Sequence, residues 1–310
     1  MSTINTDIII DSNISSENAG EVMSQMTQNG TAFNRHSDEI WCRFFSDGFF
    51  GYGESGNFHS FNFVDIWGYF HHLLPIILFG VAIFLIWKFR AFFRNWKFEE
   101  NFRFIWAAVM ILIEMSYFWR LLYVGSSDVG QITSLLDKLP LQVCEWTCIF
   151  SCFMLMKGKN NWLFQICFFV CLTAGVAALV VPSNAISSTG PAYYRYYQFW
   201  LEHLLPTLSV FYMVFVHGFR PKLRGVFLGM GFLSVLGTIA LILNATLTEH
   251  NAKYLYFHLF KNVPILGITW VTPIFYAVLV FGAFFGLYYL SKLIIKLRKN
   301  YIEKKATEKK

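Results

Sequence analysis

Two polar pairs, Cys144-Glu145 and Glu202-His203, carry side chains suited to covalent chemistry: Cys144 offers a thiol, and His203 or His72 could supply the base. A thiol beside an imidazole base can attack an ester, hold the acyl group as a thioester and pass it to a second acceptor. Both pairs lie near the start of long apolar runs, one opening Leu139-Pro140-Leu141-Gln142-Val143 and the other Tyr197-Gln198-Phe199-Trp200-Leu201. Ionisable groups are costly in hydrocarbon, and a membrane protein that keeps them generally uses them. Spacing alone leaves blander readings open. Glu145 and Glu202 point about 100° away from their neighbours and could pair with a cation or face headgroups. Cys148 and Cys152 continue the Cys144 face one turn apart, and small core filler is the simplest account of them.

The elements that must position these pairs follow from composition. Hydrophobic residues make up 55% of the 310 residues and charged ones 14%, where a soluble domain carries about 25% charged residues. The apolar residues fall in seven blocks, at 66–88, 103–124, 139–156, 162–182, 197–217, 224–246 and 271–294. Each spans, or nearly spans, a bilayer, which takes about 20 residues of helix. The fold class expected is an all-α membrane protein, a seven-transmembrane helical bundle over residues 61–295. A polar, disordered extracytoplasmic tail is expected at 1–60 and a basic cytoplasmic tail at 296–310. The first segment has no basic stretch followed by an apolar one, so no cleaved leader is expected.

Basic residues assign the orientation. Eighteen of the 25 Lys and Arg residues fall in the joints after the first, third and fifth blocks and after Leu290, and six fall on the other side. The positive-inside rule then gives an outer N-terminus and a cytoplasmic C-terminus in the cell membrane. The net charge of +6 reflects this asymmetry and does not point to nucleic acid.

With that orientation the intramembrane polar residues gather at the outer end. His72, Glu114, Arg120, Gln142 and Asn244 are expected to line a polar cavity around Cys144 and His203. Arg120 stands six positions after Glu114, too far around the helix for an easy pair, so a partner on another helix is expected. No two histidines are spaced i,i+3 or i,i+4, so neither a metal site nor a cofactor is expected. Cys167 and Cys171 are one turn apart on one helix and are not expected to form a disulfide. Gly225/Gly229 and Gly282/Gly286 are pairs that permit close helix contact. The string His-Leu-Leu-Pro occurs at residues 72–75 and again at 203–206. A 3+1+3 parallel repeat of carrier type would explain it, and a small-solute carrier or binding protein is therefore an alternative function. A structural membrane protein without chemistry is a third.

The order of further motifs carries a resemblance. Leu139-Pro140-Leu141-Gln142-Val143-Cys144 follows His72 and Glu114. After it come Ala174-Gly175, Pro182, Pro191, His203, Gly218-Phe219-Arg220-Pro221, Asn244, Asn251-Ala252-Lys253-Tyr254 with Tyr256, and Trp270, Pro273 and Tyr276. This series resembles the YwaF-like family of bacterial integral membrane proteins. More distantly it is similar to a eukaryotic transmembrane family associated with acyl transfer to ether lysophospholipids. The match spans about residues 60–295. It departs from the pattern where an Asn-Tyr pair is opened to Asn251-Ala252-Lys253-Tyr254 and where Tyr193-Tyr194 replace a histidine. The resemblance implies a Cys acyl-enzyme, with Cys144 as nucleophile and His203 as base. It implies membrane lipids as partners: a phospholipid acyl donor and a lysophospholipid acceptor.

Overall fold

The computed structural model describes residue 49 and residues 66–124, 141–157, 161–180, 193–246 and 271–307, and among these it is all-helical. The helices are α1 (Ile66–Lys88), α2 (Arg90–Asn95), α3 (Glu99–Val124), α4 (Val143–Lys157), α5 (Asn161–Val170), a π-helical turn (Cys171–Gly175), α6 (Val176–Val180), α7 (Tyr194–Phe215), α8 (Leu223–Thr246) and α9 (Val271–Thr307). Each of the seven apolar blocks contains a helix among the described residues. Several boundaries differ from expectation. The second block's helix starts at Glu99, the third's at Val143, the fifth's runs Tyr194–Phe215, and α9 continues beyond residue 294 to Thr307.

Local sequence sets the helix ends. Gln142 precedes α4, and its backbone N–H donates to Glu145 Oε2 at 2.8 Å, the carboxylate half of a capping box. At the other end of α7, Gly218 takes φ +73°, a left-handed conformation that glycine adopts without strain. This lets the Phe219 N–H reach back to the Met213 carbonyl at 3.1 Å, closing the helix in a Schellman turn. Arg94 completes that end. Its Nε donates to Val216 O at 2.8 Å and its Nη2 to Phe215 O at 3.3 Å, a cation on two terminal carbonyls.

Packing is centred on α7, which lies against α1, α3, α4, α5 and the π turn, while α5 and α9 flank α8. Tyr212 of α7 is fully buried, with the rings of Phe93, Phe102 and Trp106 between 5.6 and 5.9 Å from its own. Gly225 and Gly229 act as the small-residue spacing implies. A Cβ on Gly225 would come within 2.7 Å of Phe169 in α5, and one on Gly229 within 2.7 Å of Phe284 in α9. Gly282 and Gly286 do not share that role among the described residues, where nothing lies within 4 Å of a Cβ built on either.

The outer surfaces are apolar. Phe227, Val235, Ile239, Leu241 and Ile242 of α8 and Val278, Leu279 and Leu293 of α9 are all exposed. Leu223–Thr246 and Phe275–Lys305 are each long and apolar enough to cross a membrane. Exposed apolar surface on this scale is foreign to a monomer in water.

Candidate functional site

Cys144 is the second residue of α4, and Glu202 and His203 occupy the third turn of α7. Packing of α4 against α7 brings the three together. The Cys144 thiol, a Glu202 carboxylate oxygen and a His203 ring nitrogen all lie within 4.8 Å of one another. Glu202 and His203 are buried, at 5% and 9% exposure, while Cys144 is half-buried.

Each member is held from behind. His203 Nδ1 is 2.8 Å from the Phe199 carbonyl one turn earlier. A carbonyl only accepts, so Nδ1 carries the proton and Nε2 keeps the lone pair that a base needs. The Phe199 ring lies 4.4 Å from the imidazole, centroid to centroid. Glu202 Oε2 accepts from Gln198 Nε2 at 2.8 Å and from Arg195 Nη1 at 3.3 Å. Arg195 also bonds the Gln198 side-chain oxygen. The carboxylate beside the catalytic candidates is thus charge-paired along its own helix, which is how a buried carboxylate is tolerated.

The π turn sets the depth of this part of α7. Thr207 Oγ1 donates to His203 O at 2.9 Å and lies 3.5 Å from Cys171 O. A Cβ on Gly175 would stand 2.8 Å from that hydroxyl. Gly175→Ala is therefore expected to push the His203–Thr207 turn away from the π turn. The expected cost is about 1–3 kcal/mol, in the range for overpacking, and the Cys144–His203 approach should widen with it. Thermal denaturation in detergent, alongside thiol-alkylation rates at Cys144, measures both. Unchanged values would show that the π turn does not position His203.

The other expected site residues fare differently. Glu114 of α3 is within electrostatic range of Cys144, Glu145 and Glu202, and its Oε2 is buried with no hydrogen-bond partner among the described residues. Gln142 contributes its backbone N–H to the start of α4. Asn244 is half-buried near the end of α8. It is carried towards the start of α4 because Leu236, Ala240 and Leu243 pack on Leu141, Val143 and Trp146. His72 lies in α1 and Arg120 in α3, but their side chains fall outside the described residues. The same holds for Pro182, Pro191, Asn251, Tyr254, Tyr256, Trp270 and, Phe49 apart, the tail at 1–60. The Phe49 carbonyl accepts from the Tyr194 N–H at 2.7 Å, at the start of α7.

A second polar network, at the opposite end of α7, has no counterpart among the expected site residues. Glu99 Oε1 accepts from Arg103 Nε, Tyr212 Oη and His217 Nε2, each at 2.9 Å. Arg103 also bonds the Leu155 carbonyl of α4. Arg103 is 7% exposed, so the cation that sequence counting assigned to a joint is a buried tie between helices. Buried Gln165 similarly clamps the turn after α7, through Arg220 O at 2.9 Å and Lys222 N at 2.7 Å.

The model of a transmembrane-protein family, the TMEM164 family, matches residues 66–289. The chain belongs to the TMEM164 family. The matched stretch runs from the first residue of α1 well into α9 and contains Cys144, Glu202, His203 and both polar networks. The family and the apolar helices together point to a membrane protein. No curated protein and no solved structure matches the chain.

Proposed function

We propose that this protein is a lipid-directed acyltransferase that works through a thioester on Cys144. The observation that supports the reading is the meeting of the Cys144 thiol, the His203 ring and the Glu202 carboxylate within 4.8 Å across two helices. In the first half-reaction the thiol proton passes to His203 Nε2 and the sulfur attacks the ester carbonyl of a donor phospholipid. The ester C–O bond breaks, and the imidazolium returns its proton to the departing lysolipid oxygen. In the second half-reaction His203 takes the proton of an acceptor lysophospholipid hydroxyl. That oxygen attacks the thioester, a new ester forms and the thiol is restored. Glu202, held by Gln198 and Arg195, balances the imidazolium charge.

The site needs no water-soluble substrate. In this reading the seven apolar segments all cross the cell membrane, with the N-terminus outside. Cys144 and His203 then sit at the outer-leaflet end, where a phospholipid presents its ester bonds. In this reading the chain is a YwaF-like bacterial protein, whose motif order it resembles. The decisive experiment incubates purified protein with phospholipid carrying a labelled acyl chain and maps adducts by mass spectrometry. A labelled acyl group on Cys144 that is discharged by added lysophospholipid is the expected result. Lipid remodelling that proceeds with no adduct on Cys144 would overturn the mechanism.

A further inference from the structure

The three atoms that would do acyl transfer are also a set of metal ligands. Among the described residues this is the one place where three Cys, His or carboxylate donors converge within 4.8 Å. A tetrahedral zinc ion, with bonds of about 2.0–2.3 Å to N, O and S, places its ligands about 3.4–3.6 Å apart. Donors within 4.8 Å of one another therefore need to close by at most about 1.4 Å to take the metal.

We infer that Cys144, Glu202 and His203 form a binding site for one zinc-class divalent ion, which reversibly blocks the nucleophile. The donor set fits: a soft thiolate, a borderline imidazole and a hard carboxylate suit zinc, whereas magnesium or calcium would reject the sulfur. The supporting bonds fit too. His203 gives its Nδ1 proton to the Phe199 carbonyl, which leaves Nε2 as ligand and fixes the ring, as such bonds commonly do for metal-binding histidines. Glu202 is oriented through Oε2 by Gln198 and Arg195, which leaves Oε1 for the metal. The thiol gives its proton to solvent when zinc binds, because the thiolate is the ligand.

Histidine spacing could not reveal this site, because its ligands come from adjacent residues on one helix and a cysteine on another. Zinc uptake stands on this geometry alone; only its inhibitory consequence rests on the acyl-transfer reading.

Purified full-length protein in detergent, stripped with chelator, is titrated with Zn²⁺ against a chromophoric competitor. One ion per chain is expected, with about one proton released. Co²⁺ in place of Zn²⁺ should give a thiolate-to-cobalt charge-transfer band. Cys144→Ser and Glu202→Gln should each weaken binding by at least about 10–100-fold, the loss seen even for outer ligand partners. In Cys144→Ser the cobalt band should vanish as well. Preloading with Zn²⁺ should prevent alkylation of Cys144, and chelator should restore it. No stoichiometric uptake, or uptake indifferent to both substitutions, overturns the site. A protein that binds zinc but never carries an acyl group would overturn the acyltransferase and leave the zinc site standing; an acyl adduct without zinc uptake would do the reverse.

Discussion

Cys144→Ala is expected to abolish both the acyl adduct and lipid remodelling, leaving only background. The sulfur has no substitute nearby: Cys148 and Cys152 are buried and donate to the carbonyls of Met110 and Ala107 in α3. They sit one and two turns further into the helix, away from His203. Cys144→Ser should retain only a small residue of activity, since a hydroxyl is a far weaker nucleophile at neutral pH. His203→Gln is the sharper test of roles. It preserves a side-chain donor but removes the base, so turnover should fall by about 10²–10⁴-fold, the usual contribution of a positioned general base. Adduct formation at elevated pH should recover in part, because solvent can then remove the thiol proton. Full activity in Cys144→Ala would end the covalent mechanism. A His203→Gln protein with an unaltered rate and pH profile would remove His203 from it.

Much of this site is legible in the sequence because hydrocarbon makes polar residues conspicuous. Cys144 and His203 stand out in apolar runs, and the helices containing them follow from block length alone. What stays hidden is direction. Adjacent residues on a helix diverge by about 100°, so Glu202 and His203 do not look able to serve one centre until α4 packs against α7. Arg195 reads as one of the few charges on its side of the membrane, yet it lies along α7 at the spacing that reaches Gln198 and Glu202. Glu145 looks equivalent to Glu202 and is not: it caps α4. Counting charge by joint fails for Arg103 in the same way. Such counting records which end of a helix a cation occupies and nothing about the face it presents.

The buried tie at that opposite end should carry a large share of stability. Arg103→Met is expected to cost about 3–5 kcal/mol, the range for removing one partner of a buried ion pair. Arg103 Nε holds both Glu99 oxygens, at 2.9 and 3.1 Å, with the two side chains 8% and 13% exposed. Its loss leaves a shielded carboxylate with only Tyr212 and His217, and leaves the Leu155 carbonyl of α4 without its guanidinium. Glu99→Gln in the Arg103→Met background should recover part of the loss, because the stranded charge is then gone; an additive double variant would show that the pair does not act as one. Acid should act on the same tie. Burial pushes the Glu99 carboxyl up, but bonds from Arg103, Tyr212 and His217 outweigh it and hold the group below the ordinary glutamate value. A depressed folded-state value means the stabilisation is complete above the unfolded value, about 4.3, and drains away as pH falls through the folded one. Denaturation midpoints in detergent should therefore drop below about pH 4 in the parent and drop less in Glu99→Gln. Equal acid sensitivity in the two proteins would assign the transition to other carboxylates.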